Sequence, residues 1–260
     1  MYRLLPVLAV LAGSAAWAAP GLDLAAPNRQ FAPVNQLLLS ENACGPAALL
    51  NAYGFGSEKW RKVGSAIPGE GARGQMYYII RAHGLHPSRH LPERLRWDRK
   101  NGVNLLDLTD IANELRGRQV VPQVRSEVLV LGKREDHRKL LVRAHERLAK
   151  SLKKGLPPVV SLRRMAYSAT PGESPGWRVV HGHFVVVVAL PAKVDRKATS
   201  FPIRYVDPWG GRILDGRIRA DGANGFPTLL ATVPSSKIGV DRVRKTERSI
   251  VTLSAAIGAF

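Results

Sequence analysis

The sequence predicts an α+β fold, with helices in the first half of the chain and β-strands in the second. Apolar residues recur at helical spacing in the first half, most clearly over Asp136–Lys153. In the second half, the nearly unbroken apolar run Phe184–Leu190 has the pattern of a strand buried on both faces. Helices followed by strands, without regular alternation, are typical of segregated α+β architecture.

The N-terminal segment Met1–Ala18 has the three parts of a secretory signal peptide. Arg3 supplies the positive charge, Leu4–Ala12 is a short apolar run, and Ala16-Trp17-Ala18 fits a small-x-small cleavage site. We therefore expect cleavage before Ala19 and an exported protein, either secreted or periplasmic. An uncleaved anchor or a buried strand is the alternative, although the apolar run is shorter than the ~20 residues that span a bilayer.

The remaining chain, residues 19–260, is expected to form a single domain. About 240 residues are enough for one substantial hydrophobic core. An apolar content of 45% is that of a globular chain rather than a disordered one. No later segment has the length and apolarity of a membrane span, since the run Phe184–Leu190 has only the length of a strand.

The chain is strongly basic, with 39 Lys and Arg against 20 Asp and Glu and a formal net charge of +19. Such a surface attracts anionic polymers. For an exported protein the expected anions are cell-envelope polymers, lipid head groups or acidic proteins. Nucleic acid is not expected, because the basic residues are not interleaved with aromatic side chains that could stack on bases. The alternative is a solubilising surface without a specific partner.

Hydrophobic spacing and capping residues predict five helices, with a loop at Pro68–Gly74. Asn42 is the expected N-cap of the first helix, Gly54 follows its end, and Pro46 falls in its first turn, where a missing N–H costs little. The predicted helices are Ala43–Tyr53, Glu58–Ser65, Gln75–Ala82, Asp107–Leu115 and Asp136–Lys153.

Strands are predicted mainly after the last of these helices. The β-branched runs in Arg118–Val130 also predict two short strands around Pro122. Ser168–Gly176 has the composition of a loop, and the tail Ser235–Phe260 has a mixed pattern that assigns no element. The later predicted strands are Val159–Leu162, Phe184–Leu190, Ile203–Val206, Arg212–Leu214, Arg217–Arg219 and Thr228–Val233.

Cys44 is the only cysteine of the sequence, so an exported form of the protein cannot use it for an internal disulfide. At the start of a helix, the helix dipole lowers the pKa of a thiol and favours the nucleophilic thiolate. Gly45 would leave room for a substrate backbone and offer an amide to an oxyanion hole. The alternative is a small buried hydrophobic side chain, which free cysteines commonly are.

His183 and Asp207 are the candidates for the base and the carboxylate that a cysteine nucleophile needs. His183 begins the apolar strand, and Asp207 ends the strand Ile203–Val206, so the two meet if these strands are neighbours. The alternative for Asp207 is that Asp-Pro opens a turn. His181 shares a strand face with His183, which permits zinc binding, but no third ligand has a suitable spacing. We therefore expect no metal and no cofactor.

Together these segments resemble papain-like cysteine peptidases, and most closely the exported relatives of bacteriocin-processing peptidases. Those proteins carry Asp/Asn-x-Cys-Gly-x-Ala at a helix start, His-Phe-Val-Val-Val on a strand and Asp-Pro at the next strand end. The matching segments here are Asn42–Ala47, His183–Val187 and Asp207-Pro208, in the same order. The resemblance implies a papain-like α+β fold, in which a helical lobe with the nucleophile helix packs against an antiparallel β-sheet.

The resemblance also implies that Cys44 is the nucleophile, His183 the general base and Asp207 the residue that orients the base. The family has a glutamine about six residues before the cysteine, which helps bind the oxyanion. This chain has Leu38 there, and Gln36, eight residues before Cys44, is the candidate in its place. The implied function is an exported cysteine peptidase, a thiol hydrolase that cleaves peptide or amide bonds of a peptide or protein. A transferase with the same triad is an alternative.

A second hypothesis is a catalytically weak or inactive peptidase-like protein that holds an anionic envelope partner on its cationic surface. It is motivated by the net charge and by the displaced Gln36, because losing one oxyanion donor costs on the order of 10²–10³ in rate. The loops Gly69–Gly74 and Ser168–Arg178 are expected to shape the specificity pocket, although their composition does not identify the substrate.

Overall fold

The computed structural model describes residues 21–168, 176–222, 225–234, 236 and 238–260. The predicted signal peptide, Met1–Ala18, lies outside this range, as does most of the predicted loop Ser168–Gly176. The described residues contain five α-helices: α1 (Cys44–Gly54), α2 (Glu58–Ser65), α3 (Gly71–Ile79), α4 (Leu105–Arg116) and α5 (His137–Lys153). Within the same ranges, none of the helices combines the length and the apolarity that crossing a membrane requires.

Ten β-strands accompany these helices in the described ranges. The two short strands β2 (Trp97–Asp98) and β3 (Gly102–Val103) pair only with each other. The strands of the main sheet are β1 (Leu24–Ala25), β4 (Arg125–Val128), β5 (Val159–Ser168), β6 (Gly176–Leu190), β7 (Ser200–Asp207), β8 (Arg212–Arg219), β9 (Leu229–Thr232) and β10 (Arg248–Gly258).

Six of the main-sheet strands close into an antiparallel barrel, in the order β6-β5-β10-β9-β8-β7 with β7 paired again to β6. The 15-residue β6 makes the closure possible because it pairs with β5 on one edge and, through its C-terminal half, with β7 on the other. β10 is equally central, since it pairs with β5, β9 and β4.

The predicted papain-like arrangement, a helical lobe packed against an antiparallel sheet, is therefore wrong. The molecule is dominated by a closed barrel. Two physical reasons explain why the sequence pattern does not reveal the barrel. β10 lies in the tail Ser235–Phe260, where small residues and burial of eight successive positions remove the alternation that marks a half-buried strand. Barrel closure also depends on which strand edges meet, and the periodicity of one strand does not contain that information.

Most helix predictions are confirmed to within a few residues, and α2 has the predicted bounds. α3 is an exception, because it begins inside the predicted loop Pro68–Gly74 and continues as a π-helical turn over Ile80–Gly84. The backbones of Gly69 and Gly74 approach so closely that a Cβ on Gly69 would lie 2.3 Å from the Gly74 carbonyl carbon. The two glycines therefore serve close packing as well as chain reversal.

Three strand predictions need correction. β5 extends beyond Leu162 to Ser168, and β6 begins at Gly176 instead of Phe184. The two backbones hydrogen-bond to each other as far as the pair Ser168 and Gly176. The two strands predicted within residues 212–219 form one strand, β8, with Gly216 close to the backbone of β9. Of the two strands predicted around Pro122, only β4 is present.

Helix α1 packs against both the other helices and the barrel. Every one of its residues after Cys44 is buried, and it packs against β6 and β5. The small side chains Ala47 and Ala48 are fully buried at the centre of this helix, which permits close helix–sheet contact. The start of α1 is thereby held against the region of β6 that carries His183.

Candidate active site

Cys44 is the first residue of α1 and is partly exposed, whereas the rest of the helix is buried. The predicted side-chain cap is not present: Ala43 is the N-cap, and it makes no side-chain hydrogen bond. Asn42 instead donates its side-chain amide to the carbonyl of Arg99 over 2.7 Å, and its own carbonyl accepts from the indole of Trp97 over 2.9 Å. These bonds tie the residues before Cys44 to the hairpin β2–β3.

His183 and Asp207 lie on paired strands and on the same face of the barrel wall. Val186 of β6 pairs with Val206 of β7, so the continued antiparallel register places Asp207 opposite Val185. His183 is two residues from Val185 and therefore shares its face, which makes it a diagonal neighbour of Asp207. The imidazole Nε2 lies 2.7 Å from Asp207 Oδ1, and both side chains are buried.

The Cys44 thiol interacts with the same imidazole. Burial by itself raises the pKa of the thiol, but the hydrogen bond and the charge of His183, with the N–H groups of Phe184 and Gly45, bring this pKa below its ordinary value. Burial by itself lowers the pKa of His183, whereas Asp207 and Cys44 raise it to about 9. These opposite shifts favour a thiolate beside an imidazolium over a neutral pair.

Asp207 is completely buried, and its carboxylate interacts with the backbone of Trp209 as well as with His183. Burial raises the pKa of its carboxyl group, but the hydrogen bond and charge of His183 and the backbone N–H of Trp209 lower it below the ordinary value. Trp209 N donates to Oδ1 over 2.9 Å. Ser236 lies beside the carboxylate, although its hydroxyl and Oδ2 do not meet in hydrogen-bond geometry.

Gln36 lies in a short 3₁₀-helix, Gln36–Leu38, and is completely buried. Its backbone N–H donates to Pro208 O over 2.9 Å, and its side-chain Nε2 donates to the carbonyl of Glu41. Gln36 therefore bridges the turn after Asp207 and the segment before Cys44. One side-chain N–H remains for another acceptor, and Oε1 has no partner among the described residues.

Gly45 is required for packing. A Cβ at this position would lie 2.3 Å from Val103 Cγ1 and 3.2 Å from Leu108 Cδ1. The expected open space beside Gly45 for a substrate backbone is therefore filled on that side by β3 and α4. Because residue 45 has no side chain, α1 can pack closely against these elements. The Gly45 N–H still faces the Cys44 sulfur.

A cavity of about 620 Å³ opens beside the histidine. Glu41, Asn42, His181, His183 and Trp209 line it. Residues 234, 236 and 238–242 complete the lining. The predicted specificity loop Gly69–Gly74 does not line this cavity, and residues 169–175 of the other predicted loop lie outside the described ranges.

His181 lines the same cavity but has a different environment from His183. Its Nδ1 lies 3.2 Å from Arg242 Nη1. Burial lowers the pKa of His181, and the charges of Arg242 and His183 lower it further, so its neutral ring accepts from the guanidinium. No carboxylate orients it in the described residues, which makes His183 the better base. His181 and His183 both line the cavity, in agreement with the prediction that they share a strand face.

The cavity-lining residues 234, 236 and 238–242 could not be predicted from the sequence, because almost all of them lie in the unassigned tail. Pro234 and Gly239 mark a loop there, but nothing in the sequence indicates which cleft the loop faces. The structure gives Gly239 a clear role: its φ is +55°, and a Cβ would lie 2.5 Å from His181 Cβ. Glycine thus lets the loop approach the strand that carries both histidines.

A scan against protein-family models gives no match for this chain, and a search of curated proteins gives no significant match.

Proposed function

We propose that the protein is a cysteine hydrolase that cleaves peptide or amide bonds. The observation that carries the proposal is the buried 2.7 Å contact between His183 Nε2 and Asp207 Oδ1, with the Cys44 thiol close enough to the same imidazole to shift its pKa. Nucleophile, base and orienting group are the three parts of cysteine-based acyl transfer. Placement of the nucleophile at a helix N-terminus adds a further thiolate-stabilising effect.

In the acylation step, the Cys44 thiolate attacks the carbonyl carbon of the scissile amide and forms a C–S bond. The His183 imidazolium gives its proton to the departing nitrogen, so the C–N bond breaks and an amine leaves. Asp207 keeps the ring oriented, because its Oδ1 holds Nε2 and leaves Nδ1 available to the sulfur. The enzyme is left as a thioester with a neutral imidazole.

In the deacylation step, neutral His183 takes a proton from a water molecule, whose oxygen attacks the thioester carbonyl. The C–S bond breaks, a carboxylic acid leaves, and the thiolate–imidazolium pair is restored. Gln36 is proposed to donate its free side-chain N–H to the oxyanion of both tetrahedral intermediates. An amine in place of water would give a transferase by the same route.

A peptide or protein is the proposed substrate class, and an exported location the proposed setting. The cavity beside His183 is large enough for several side chains, and peptide recognition uses both charged and apolar walls. The motifs around Cys44, His183 and Asp207 resemble those of bacteriocin-processing peptidases, which supports a peptidase among the possible thiol hydrolases. The signal-like segment Met1–Ala18 supports export.

The proposal is tested by incubating the purified protein with a complex peptide mixture and reading new peptide termini by mass spectrometry. The wild-type protein should generate them, whereas Cys44→Ala should generate none. A thioester adduct on Cys44 should also be trapped at low pH. Identical termini with the wild type and Cys44→Ala, or none with either protein, would contradict a hydrolase that works through this thiol.

We also propose a second candidate function, the binding of an anionic envelope polymer, because a specific surface favours it. The lysine groove has a volume of about 560 Å³ and is lined by Lys150, Lys153, Lys154 and Lys193. These four side chains lie on the end of α5 and on the chain after β6, and Glu146 is the acidic residue beside them. None of the four forms an ion pair in the described structure. The groove shares no residue with the cavity at His183.

Polyphosphate is a suitable probe for this second function. Its affinity should fall by at least tenfold between 50 and 500 mM salt, since released counterions and screening both weaken such binding. The triple change Lys150→Gln, Lys153→Gln and Lys193→Gln should weaken binding more than the charge-matched control Lys59→Gln, Lys133→Gln and Lys245→Gln. Binding that is insensitive to salt, or equally weakened by both triple changes, would contradict a role for the lysine groove.

A further inference from the structure

A second cluster of ligand-type side chains lies outside the candidate active site, at the start of α4. His90, Asp107 and Asp110 each offer one ligand atom, and all three atoms lie within 4.8 Å of one another. Asp107 and Asp110 are three residues apart on α4, so they share one face of the helix. His90 comes from the preceding loop, and its Nε2 lies 2.9 Å from Asp110 Oδ2.

Asp107 has an unusual environment for a carboxylate. It is completely buried, and its Oδ2 accepts from Ser88 Oγ over 2.7 Å and from the side-chain amide of Asn104. Its Oδ1 is equally buried and has no hydrogen-bond partner among the described residues. Buried carboxylate oxygens normally accept a hydrogen bond or coordinate a metal ion, so a ligand is expected at this oxygen.

Helix capping explains only part of this arrangement. Asn104 caps α4 by accepting from the N–H groups of Leu106 and Asp107, and an acidic residue in the first turn suits the helix dipole. Capping accounts for Asp107 Oδ2, which meets the Asn104 side chain. It does not account for the unpaired Oδ1, nor for the convergence of His90 and Asp110 on the same place.

We propose that His90, Asp107 and Asp110 form a binding site for a divalent transition-metal ion, with Zn²⁺ as the best match. One imidazole and two carboxylates are ligands that zinc accepts, with a fourth position left for water. Ligands of tetrahedral zinc lie about 3.4 Å apart, given bonds of ~2.0–2.1 Å. The partly exposed side chains of His90 and Asp110 can close the present spacing by rotating towards the fixed Asp107.

Ser88 does not itself belong to the proposed ligands, but its hydroxyl contacts both the Asp107 carboxylate and the loop of His90. Its hydroxyl donates to Asp107 and accepts from the backbone N–H groups of His90 and Leu91, over 3.1 and 2.9 Å. One side chain thus orients both a ligand carboxylate and the loop that carries the ligand histidine. Such outer contacts around metal ligands commonly tune metal affinity.

The ion would join the loop around His90 to α4 and so stabilise the support of the nucleophile helix. Leu108, next to Asp107 in the chain, is fully buried against Gly45 of α1. The proposed ion would act through this packing and would take no part in the reaction at Cys44, and the proposal departs from the sequence-based expectation of no metal.

Zinc binding to the untagged Cys44→Ala protein, measured by competition with a chromogenic chelator, tests the proposal. Removing the thiol prevents Cys44 and His183 from capturing the ion. One equivalent should bind and should raise the thermal unfolding temperature. His90→Gln and Asp110→Asn should each lower the affinity by at least tenfold and abolish the thermal shift, whereas the control His86→Gln should keep both.

Two results would overturn the proposal. One is the lack of saturable binding near one equivalent in the Cys44→Ala protein. The other is an affinity that His90→Gln and Asp110→Asn leave within twofold of the starting value. Both substitutions change partly exposed side chains, so the variants are expected to fold, and either of them alone is sufficient for the decision.

Discussion

His183 Nε2 and Asp207 Oδ1 lie 2.7 Å apart, on strands whose backbones are paired and with the carboxylate completely buried. Asp207 therefore provides a charged partner that keeps His183 protonated beside the Cys44 thiolate. The consequences of this pairing, and of the packing that holds it in place, can be measured.

Asp207→Asn should lower the pKa of His183 from about 9 towards the ordinary value, because an amide can orient the ring but cannot stabilise its charge. The imidazolium is needed to protonate the leaving amine. The basic limb of kcat/KM against pH should consequently move to lower pH, with a reduced plateau. Asp215→Asn, which removes an exposed partner of Arg204, should leave the limb in place. An unchanged basic limb in Asp207→Asn would contradict the role of the carboxylate.

Gln36→Ala should lower kcat by a factor on the order of 10²–10³, the usual effect of losing one oxyanion donor. Gln75→Ala is the matched control, since Gln75 Nε2 also donates to backbone carbonyls, those of Gly64 and Ile67, at residues that do not line the cavity. Initial rates should be compared below the unfolding temperature of both variants. Equal kcat values for the two would show that Gln36 serves only the fold.

Much of the site could be predicted from the sequence because its residues stand next to strong local patterns. Cys44 precedes an apolar helix, and His183 begins an unbroken valine run, so each is located by its own neighbours. The prediction requires that the two strands carrying His183 and Asp207 are paired. The register of β6 and β7 confirms this pairing.

The parts that could not be predicted depend on contacts between distant segments. The barrel closes through β10, whose buried small residues resemble neither an alternating strand nor an amphipathic helix. The cavity-lining residues 234, 236 and 238–242 lie between β9 and β10, so their position depends on the closed barrel. The packing reason for Gly45 likewise depends on Val103, which lies 58 positions later in the chain.

Gly45→Ala should destabilise the protein by about 1–3 kcal/mol, because the added methyl overlaps Val103 in a filled core. Val103→Ala should relieve the overlap, so the double variant should lose less stability than the sum of the two single changes. Gly132→Ala is a suitable control, since its Cβ would meet only the Glu135 side chain, at 3.4 Å or more. Free energies of unfolding from denaturant titration provide the test, and strict additivity would contradict the overlap.

Asp98→Asn should destabilise the hairpin β2–β3 in a pH-dependent way. Burial raises the pKa of Asp98, but the N–H of Asn101, the guanidinium of Arg94 and further donors lower it to about 2. Since the folded pKa lies below the unfolded value of about 3.9, the ionised group stabilises the fold above that pH. This contribution is lost as the pH falls towards 2. The stability difference between wild type and Asp98→Asn should therefore shrink between pH 5 and pH 2.5, and a constant difference would contradict the shift.

The pH dependence of Cys44 alkylation tests the central claim most directly. Cys44 is the only thiol, so the mass increase after iodoacetamide treatment reports this residue alone. The rate in the wild-type protein should reach half its maximum below pH 8.5, the approximate pKa of a free thiol. In His183→Ala the midpoint should rise above that value, because burial then acts without the opposing imidazolium. A wild-type midpoint near 8.5 that His183→Ala does not move would contradict an activated nucleophile at Cys44.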